Sequence, residues 1–215
     1  MSLDGFFLGE EERLEPTEPP FRLHRNQGYV SEVAATRQIP VKLLGHPIET
    51  RTCDEKAELL SSYGWDWDRS RVVKALYFSS IDAGDKHYVC VITPETGRLV
   101  DVEAILTSYA AKTEAQTGQP GRYKLNGVPR GMSHGTCTPF PSHDLVRPEG
   151  AGRIDRFFVL KFPELDDKLV DISVGGGTKE ARKTSMHLPY GGIHAILSER
   201  FGDSVVALSE PRYAY

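Results

Sequence analysis

The stretch RVVKALYFSSIDAGDKHYVCVIT, residues 71–93, decides the fold. Residues 71–79 and 86–93 are both rich in β-branched, aliphatic and aromatic side chains, which is the composition of β-strands. Between them, Asp82-Ala-Gly-Asp85 has the small and polar residues that are typical of a turn. The sequence therefore predicts a β-hairpin at this place in the chain.

Two well-marked helices flank this hairpin. Thr52 and Glu55 have the spacing of a capping box, and the helix that they begin is expected to end at Gly64. On the other side, Asp101 can cap a helix whose apolar residues recur at helical spacing, with a stop at Gly118. The helix that begins at Asp101 has one apolar face, so we expect that face to be buried.

Shorter signals complete the prediction. They indicate strands at residues 48–51, 156–162, 169–174 and 204–208, and helices at residues 31–38 and 193–201. Gly202 is expected to end the last helix. Because strands arrive in hairpins and not in strict alternation with helices, the sequence predicts an α+β domain with a single mixed sheet and helices packed on it.

Composition and charge narrow the class of protein. The chain has 215 residues, of which 39% are hydrophobic and 26% charged, and it lacks an apolar run of the roughly 18 residues that a membrane helix needs. The N-terminal residues also lack the pattern of a secretory signal, so we expect a cytoplasmic protein without a membrane partner.

The net charge of −4 is unevenly distributed along the chain. Residues 1–20 carry six acidic side chains against one arginine, whereas residues 112–161 carry eight basic side chains against four acidic ones. A basic segment can bind phosphates, although a solvated surface is the more ordinary interpretation of such a segment. The charge distribution therefore neither requires nor excludes an anionic partner.

His134, Cys137 and His143 form the densest group of potential metal ligands. Zinc accepts imidazole and thiolate, but a fourth ligand is missing and the spacing matches no standard zinc motif, so we expect no metal. Cys137 could instead be a nucleophile that His134 or His143 activates. An inert loop cysteine is the alternative interpretation.

A glycine triplet, Gly175, Gly176 and Gly177, follows one predicted strand. Although Thr178 and Lys179 come next, the first glycine of a phosphate-binding loop is missing, so we expect no nucleotide hydrolysis. Three glycines allow a ligand to approach the backbone N–H groups closely, and a tight turn explains them equally well.

Lys74 interrupts an apolar strand. Alternation places it on the same face as Val72, Leu76 and Phe78, where core residues are expected. A lysine whose stem lies along apolar neighbours and whose head reaches a cleft can bind phosphate or carboxylate. A lysine that reaches solvent from an edge strand is the alternative.

The order of these motifs resembles the YbaK-like aminoacyl-tRNA deacylases, relatives of the editing domain inserted in bacterial prolyl-tRNA synthetases. The resemblance runs from about Leu43 to Phe201 and rests on a series of short segments: residues 55–60, 72–76, 89–92, 98–101, 135–139 and 170–177, and the final amphipathic helix. It implies an editing-type domain at residues 41–215, after an N-terminal acidic extension at residues 1–40.

The resemblance also implies an activity. Family members hydrolyse, in trans and without a cofactor, the ester between a wrong amino acid and the 3′-terminal adenosine of a tRNA. The expected partners are the acceptor end of a tRNA and an aminoacyl-tRNA synthetase. Alanine, cysteine and serine all remain open as the edited amino acid, because a pocket separates small side chains weakly.

Site residues follow from the same resemblance. Lys74 would bind the acceptor end, and Gly135 and Pro139 bound a Gly-x-x-x-Pro loop whose backbone would hold the ester carbonyl, while the substrate's own 2′-hydroxyl and a water act. The other expected substrate-binding residues are Thr136, Cys137, Thr138, Gly175, Gly176, Gly177, His187 and His134.

Two alternatives accompany this interpretation. Residues 141–153 and 179–187 are longer than the family's usual connections, which favours a non-catalytic module that binds tRNA or a synthetase without hydrolysis. A hydrolase that depends on Cys137 is the other alternative.

Overall fold

The computed structural model describes residues 15–20, 23, 27–80, 88–95, 107, 123–125, 129, 132, 137–141, 153–175 and 178–208. The α-helices are α1 (Gly28–Thr36), α2 (Cys53–Ser62), α3 (Lys179–Arg182) and α4 (Tyr190–Phe201). The strands are β1 (Lys42–Gly45), β2 (Val72–Ser80), β3 (Tyr88–Pro94), β4 (Tyr123–Leu125), β5 (Ile154–Leu160), β6 (Leu169–Ser173), β7 (Thr184–Pro189) and β8 (Val205–Leu208).

All these strands belong to one mixed sheet in the order β1-β7-β6-β2-β3-β5-β8, and β4 pairs with β2 as well. The pairs β1/β7, β7/β6, β2/β3 and β2/β4 are antiparallel, whereas β6/β2, β3/β5 and β5/β8 are parallel. The predicted α+β fold with a single mixed sheet and helices packed on it is therefore confirmed.

The central hairpin is formed as predicted, and its register runs from Val73 opposite Pro94 to Ser79 opposite Tyr88. Its expected turn at residues 82–85 lies outside the described residues, as does the helix expected between Asp101 and Gly118 except for Thr107, which is helical.

The capping box of α2 is present as well. The Thr52 hydroxyl accepts from the Glu55 amide at 3.1 Å, and the Glu55 carboxylate accepts from the Thr52 amide at 3.2 Å. Gly64 follows the helix with a φ of 79°, a left-handed angle that glycine adopts without strain.

One predicted strand is wrong. Residues 48–51 form a connection between β1 and α2, in which Ile48 is exposed. The segment is held by α3 and not by the sheet, because Arg182 pairs with the Glu49 carboxylate at 2.9 Å and the Arg182 carbonyl accepts from the Thr50 amide. The alternating pattern of residues 48–51 is local, and it does not determine whether a neighbouring strand is available to pair with their backbone.

The sequence also gave no signal for β7. The segment 179–187, which looked like an inserted connection, forms α3 and most of β7. Thr184, Ser185 and His187 are all buried in β7, so this strand lacks the apolar pattern by which buried strands are recognised.

Different helices cover the two faces of the sheet. Side chains alternate along a strand and directly paired residues share a face, so Val72, Asp171, His187 and Lys42 form one row across four strands. Helix α2 lies on this face, since Lys56 Nζ contacts Ser185 Oγ at 2.8 Å.

Helix α4 covers the opposite face, where Leu188 points. A Cβ atom placed on Gly192 would lie 3.4 Å from a methyl group of Leu188 and 2.8 Å from one of Ile39, so glycine permits this close approach. Helix α1 packs with α4 and contributes Tyr29, Val30, Val33 and Ala34 to the core, although it falls within the expected N-terminal extension.

Candidate functional site

The loop at residues 137–141 is fixed to the sheet through its carbonyl groups. Three side chains donate hydrogen bonds to it: Tyr77 to the Thr138 carbonyl at 2.8 Å, Gln27 to the Phe140 carbonyl at 2.7 Å, and Tyr29 to the Pro141 carbonyl at 3.1 Å. Thr138, Pro139 and Phe140 are buried. The backbone of residues 137–141, which include the last three residues of the predicted Gly-x-x-x-Pro loop, is therefore held in one orientation.

Tyr29 and Tyr77 remain hydrogen-bond donors at all physiological pH values. Burial raises the pKa of Tyr29 and of Tyr77 far above the usual value of a phenol. Both hydroxyls therefore keep their protons throughout the physiological range, and their hydrogen bonds to the loop do not change with pH.

Gln27 joins this loop to the end of β6. Its buried side-chain amide donates to the Val174 carbonyl at 3.3 Å in addition to the Phe140 carbonyl. Gly175 follows with a φ of 82°, a left-handed angle that glycine adopts without strain. The end of the Gly-x-x-x-Pro loop and the start of the glycine triplet thus lie side by side.

Along one edge of β2, a stretch of residues lies between the pairings with two other strands. It pairs with β6 at Val72 and Val73 and with β4 from Phe78 onward. The stretch 74–77 lies between these pairings, with Lys74 at one end and Tyr77 at the other. Lys74 and the loop bound by Tyr77 therefore border the same stretch of β2 from its two faces.

Lys74 lies in a cluster of charges near the start of α2. Its side chain is 41% exposed and forms an ion pair with Glu95. Glu95 also lies 3.6 Å from Arg69, which in turn pairs with Asp54 at 2.8 Å. An anionic ligand that binds Lys74 would have to compete with the Glu95 carboxylate.

His187 lies on the α2 face of the sheet, with its Nε2 atom 3.1 Å from the Asp171 carboxylate. Both side chains are buried. Burial opposes ionisation of Asp171, but the Lys56 ammonium group and hydrogen bonds from His187 and Ser185 outweigh it and lower the pKa of Asp171 to about 2. Asp171 is thus a fixed negative charge that orients the His187 ring.

A buried polar network extends from this pair. Ser185 Oγ lies 2.8 Å from Lys56 Nζ and 2.7 Å from His46 Nε2, and His46 Nδ1 lies 3.0 Å from the Tyr63 hydroxyl. Burial and the Lys56 charge lower the pKa of His46 to about 3, so its ring is neutral. Sequence reasoning missed this network; the one available signal was a lysine one turn into a capped helix.

A cavity of about 640 Å³ opens beside His187. Trp67 stacks on the His187 ring with centroids 4.7 Å apart and an interplanar angle of 25°, and the Arg71 guanidinium lies over Trp67 at 5.6 Å. Trp65 also lines the cavity, 5.8 Å from His187. The cavity therefore has an aromatic wall that the Asp171 carboxylate helps to position.

Cys137 does not have the properties of a nucleophile. Its side chain is partly buried, and burial raises the pKa of the thiol to about 11. At pH 7 the thiolate is then roughly one part in ten thousand. His134 and His143, the bases considered for it, lie outside the described residues, within which no three metal-ligating side chains cluster.

The expected site residues fall into separate places. Thr138 and Pro139 directly precede Phe140, and Gly175 directly follows Val174, whose carbonyls both accept from Gln27. His187 points to the other face of the sheet from Tyr77, which anchors the loop. Five expected residues lie outside the described part of the chain: His134, Gly135, Thr136, Gly176 and Gly177. In the described part, no helix has the length and apolarity needed to cross a membrane.

Among known proteins, similarity to this chain is found only in the comparison with solved structures. No family model and no curated protein matches the sequence. One similar structure is described as "Crystal structure of a putative trans-editing enzyme for prolyl tRNA synthetase"; it is 18% identical, with a TM-score of 0.47, over 88% of this chain and 99% of that chain.

Two further structures are similar at comparable levels. A "hypothetical protein APE2540" is 22% identical, with a TM-score of 0.48, over 85% of this chain and 99% of that chain. A structure described as "Epitope backbone grafting by computational design for improved presentation of linear epitopes on scaffold proteins" is 16% identical, with a TM-score of 0.44, over 87% of this chain and 99% of that chain.

Proposed function

We propose that this protein is a trans-acting aminoacyl-tRNA deacylase, which hydrolyses the ester between an amino acid and the 3′-terminal adenosine of a mischarged tRNA. The observation that carries this proposal is the double hydrogen bond of Gln27, which joins Phe140, the residue after Pro139, to Val174, the residue before Gly175. The motif resemblance implies that the Gly-x-x-x-Pro loop, which ends at Pro139, holds the ester carbonyl, and that the glycine triplet, which begins at Gly175, lines the same pocket.

A rigid backbone suits this reaction. Ester hydrolysis develops negative charge on the carbonyl oxygen, and N–H groups that are already oriented stabilise that charge most effectively. The loop has its Thr138, Phe140 and Pro141 carbonyls anchored, which fixes the adjoining peptide planes. In the proposed mechanism the oxyanion donors are backbone N–H groups between Gly135 and Thr138, since Pro139 has none.

The attacking group in this mechanism is a water molecule, assisted by the substrate's 2′-hydroxyl. Cys137 is a protonated thiol at neutral pH, and Ser185 is fully buried beneath α2. Neither side chain is therefore suited to attack an ester that enters from solvent. This is why the proposed chemistry relies on backbone groups and not on a side-chain nucleophile.

Lys74 supplies the expected contact to tRNA phosphate. It borders the same stretch of β2 as the loop, and its ammonium group is partly exposed. A phosphate of the acceptor end would replace the Glu95 carboxylate as its partner. Gly176, Gly177, His134 and His187 are assigned to the pocket by resemblance, and an aminoacyl-tRNA synthetase is the expected protein partner.

A second candidate function is a module that binds tRNA or a synthetase and does not hydrolyse the ester. The ion pair between Lys74 and Glu95 favours it, because the cation expected to meet the acceptor end is already neutralised.

One experiment separates these functions. Transfer RNAs charged with Ala, Ser, Cys and Pro are incubated with and without the protein, and the first-order loss of each ester is measured alongside binding by filter retention. The deacylase predicts faster hydrolysis of at least one of the four. Binding without faster hydrolysis of any would support the module instead, and neither binding nor hydrolysis would contradict both.

A further inference from the structure

The cavity beside His187 lies apart from the anchored loop to which the proposed reaction assigns the ester. It lies on the α2 face of the sheet, whereas the anchored loop is held by Tyr77 from the opposite face. Its volume of about 640 Å³ is within the range of small-molecule sites, about 300–1,000 Å³.

The aromatic wall offers one ring for stacking. Trp67 is buried and already stacked on His187. Trp65 is partly exposed, and its ring makes angles of 71°, 46° and 70° with the rings of Tyr63, Trp67 and His187. Among the residues that the structure describes, no ring is stacked in parallel on Trp65, and its exposed part lines the cavity, where a planar ligand could stack on it.

The rest of the wall keeps the aromatic column in place. Asp171 holds the His187 ring, His187 supports Trp67, and Arg71 lies over Trp67. A column fixed in this way loses little conformational freedom when a ligand binds, which favours affinity.

The rim of the cavity is positively charged. Lys42, Lys168 and Arg71 line it against a single carboxylate, Asp66. Asp66 is fully exposed and lies 3.8 Å from Arg71, so solvent screens that pair and it neutralises little of the positive charge. The rim is therefore complementary to an anionic group, whereas the interior is complementary to a flat ring.

We propose that this cavity binds a nucleotide, with the base stacked on Trp65 and the phosphate held by Lys42, Lys168 and Arg71. A nucleotide combines a planar ring with a phosphate, and this cavity combines an aromatic wall with a cationic rim. The source is either an unpaired nucleotide at an RNA end or a free mononucleotide. The inference does not depend on the deacylase activity.

The protein carries its own reporter for the test. Trp65 and Trp67 are its only two tryptophans and both line the cavity, so all tryptophan fluorescence comes from this place. The intact protein is titrated with AMP, CMP and the trinucleotide CCA, with excitation at the red edge of tryptophan absorption. Adenosine and inorganic phosphate are the matched controls. We expect saturable quenching by nucleotides, at least tenfold weaker binding of adenosine, and no quenching by phosphate.

Two sets of variants test the assigned contacts. Trp65→Leu keeps Trp67 as the reporter and should weaken nucleotide binding roughly 5- to 150-fold, the range for loss of one stacked base. Lys42→Ala with Lys168→Ala changes two exposed side chains, so the fold is preserved, and should weaken binding and reduce its salt dependence. Lys161→Ala, away from the cavity lining, is the control and should leave binding unchanged.

Each outcome decides the proposal. Tighter binding of CCA than of AMP and CMP would support it with an RNA end as the source, and the reverse would support it with a free nucleotide. Absence of saturable quenching by all three, equal binding of AMP and adenosine, or full affinity in both cavity variants would overturn it. Deacylation is measured on the same samples, so hydrolysis without cavity binding would reject this inference and leave the proposed function standing.

Discussion

Gln27 donates a hydrogen bond to the carbonyl of Phe140 across 113 residues of sequence, at a distance of 2.7 Å in the buried interior. The same amide nitrogen serves the Val174 carbonyl, so one side chain satisfies acceptors from two separate loops. A buried carbonyl without a partner costs free energy, so both loops must lie within hydrogen-bond distance of Gln27 for the fold to be stable. Gln27 therefore sets the position of one loop relative to the other.

The first prediction is that Gln27→Leu impairs hydrolysis and stability together. Leucine fills a similar volume but leaves the Phe140 and Val174 carbonyls unsatisfied, at about 1–3 kcal/mol for each buried group. We expect the free energy of unfolding, measured by urea denaturation, to fall by an amount of that order, and kcat for deacylation to fall at least tenfold.

Tyr29→Phe is the matched comparison for Gln27→Leu. It removes one hydrogen bond, to the Pro141 carbonyl, and keeps the ring in the core. Its effect on kcat should be smaller than that of Gln27→Leu. Equal turnover in all three proteins would show that this backbone does not hold the ester.

The second prediction concerns Lys74. Lys74→Ala should lower kcat/KM for deacylation at least tenfold through a higher KM, because a phosphate contact is lost. Stability should change by no more than about 1 kcal/mol, since the ion pair with Glu95 is partly exposed and exposed pairs contribute little.

Two variants control for charge at this position. Lys74→Arg keeps the cation and should retain most of the affinity, and Arg69→Ala removes another partner of Glu95 without touching Lys74. Kinetics at several salt concentrations provide the measurement, because loss of a phosphate contact reduces the salt dependence of binding. Undiminished turnover in Lys74→Ala would remove this residue from the site.

The third prediction is that Cys137→Ala keeps most of the deacylase activity. Burial raises the pKa of the thiol to about 11, so the reactive thiolate is scarce at neutral pH. In the wild-type protein, the Cys137 thiol should accordingly react slowly with iodoacetamide at pH 7, and the rate of its alkylation should rise tenfold for each pH unit. A loss of several orders of magnitude in turnover on Cys137→Ala would favour the cysteine hydrolase.

The parts of the fold that were predictable are those in which local chemistry and tertiary structure agree. The hairpin at residues 71–93 has β-type residues in both strands, and α2 carries its capping box in the four residues Thr52 to Glu55. In both places the signal lies within a few consecutive residues. No contact from a distant segment was needed to recognise them.

The candidate site was harder to predict because its partners are distant in sequence. Asp171 and His187 are 16 residues apart, and Lys56 and Ser185 are 129 apart. Ser185 and His187 are polar residues of a buried strand, and their polarity is satisfied by groups that only the folded chain brings near. Gln27 likewise carries no local signal for its contact with Phe140.

The fourth prediction links the buried network to acid stability through His46. Its pKa is lowered by burial and by the Lys56 charge from the ordinary value of 6.5 to about 3. Between these two values the unfolded chain binds a proton that the folded protein does not bind. Unfolding is therefore favoured as the pH falls, and the full contribution of His46 to stability is present above about pH 6.5.

The size of this effect follows from linkage. One such group changes the free energy of unfolding by at most about 1.4 kcal/mol per pH unit between pH 6.5 and pH 3. His46→Gln removes the titrating group, so its stability should fall less steeply between pH 6 and pH 4, as measured by urea unfolding at each pH. His194→Gln is the control, because His194 is only partly buried and should alter the slope less. If His46→Gln and the wild-type protein lost stability in parallel across this range, His46 would not be the group that takes up the proton on unfolding.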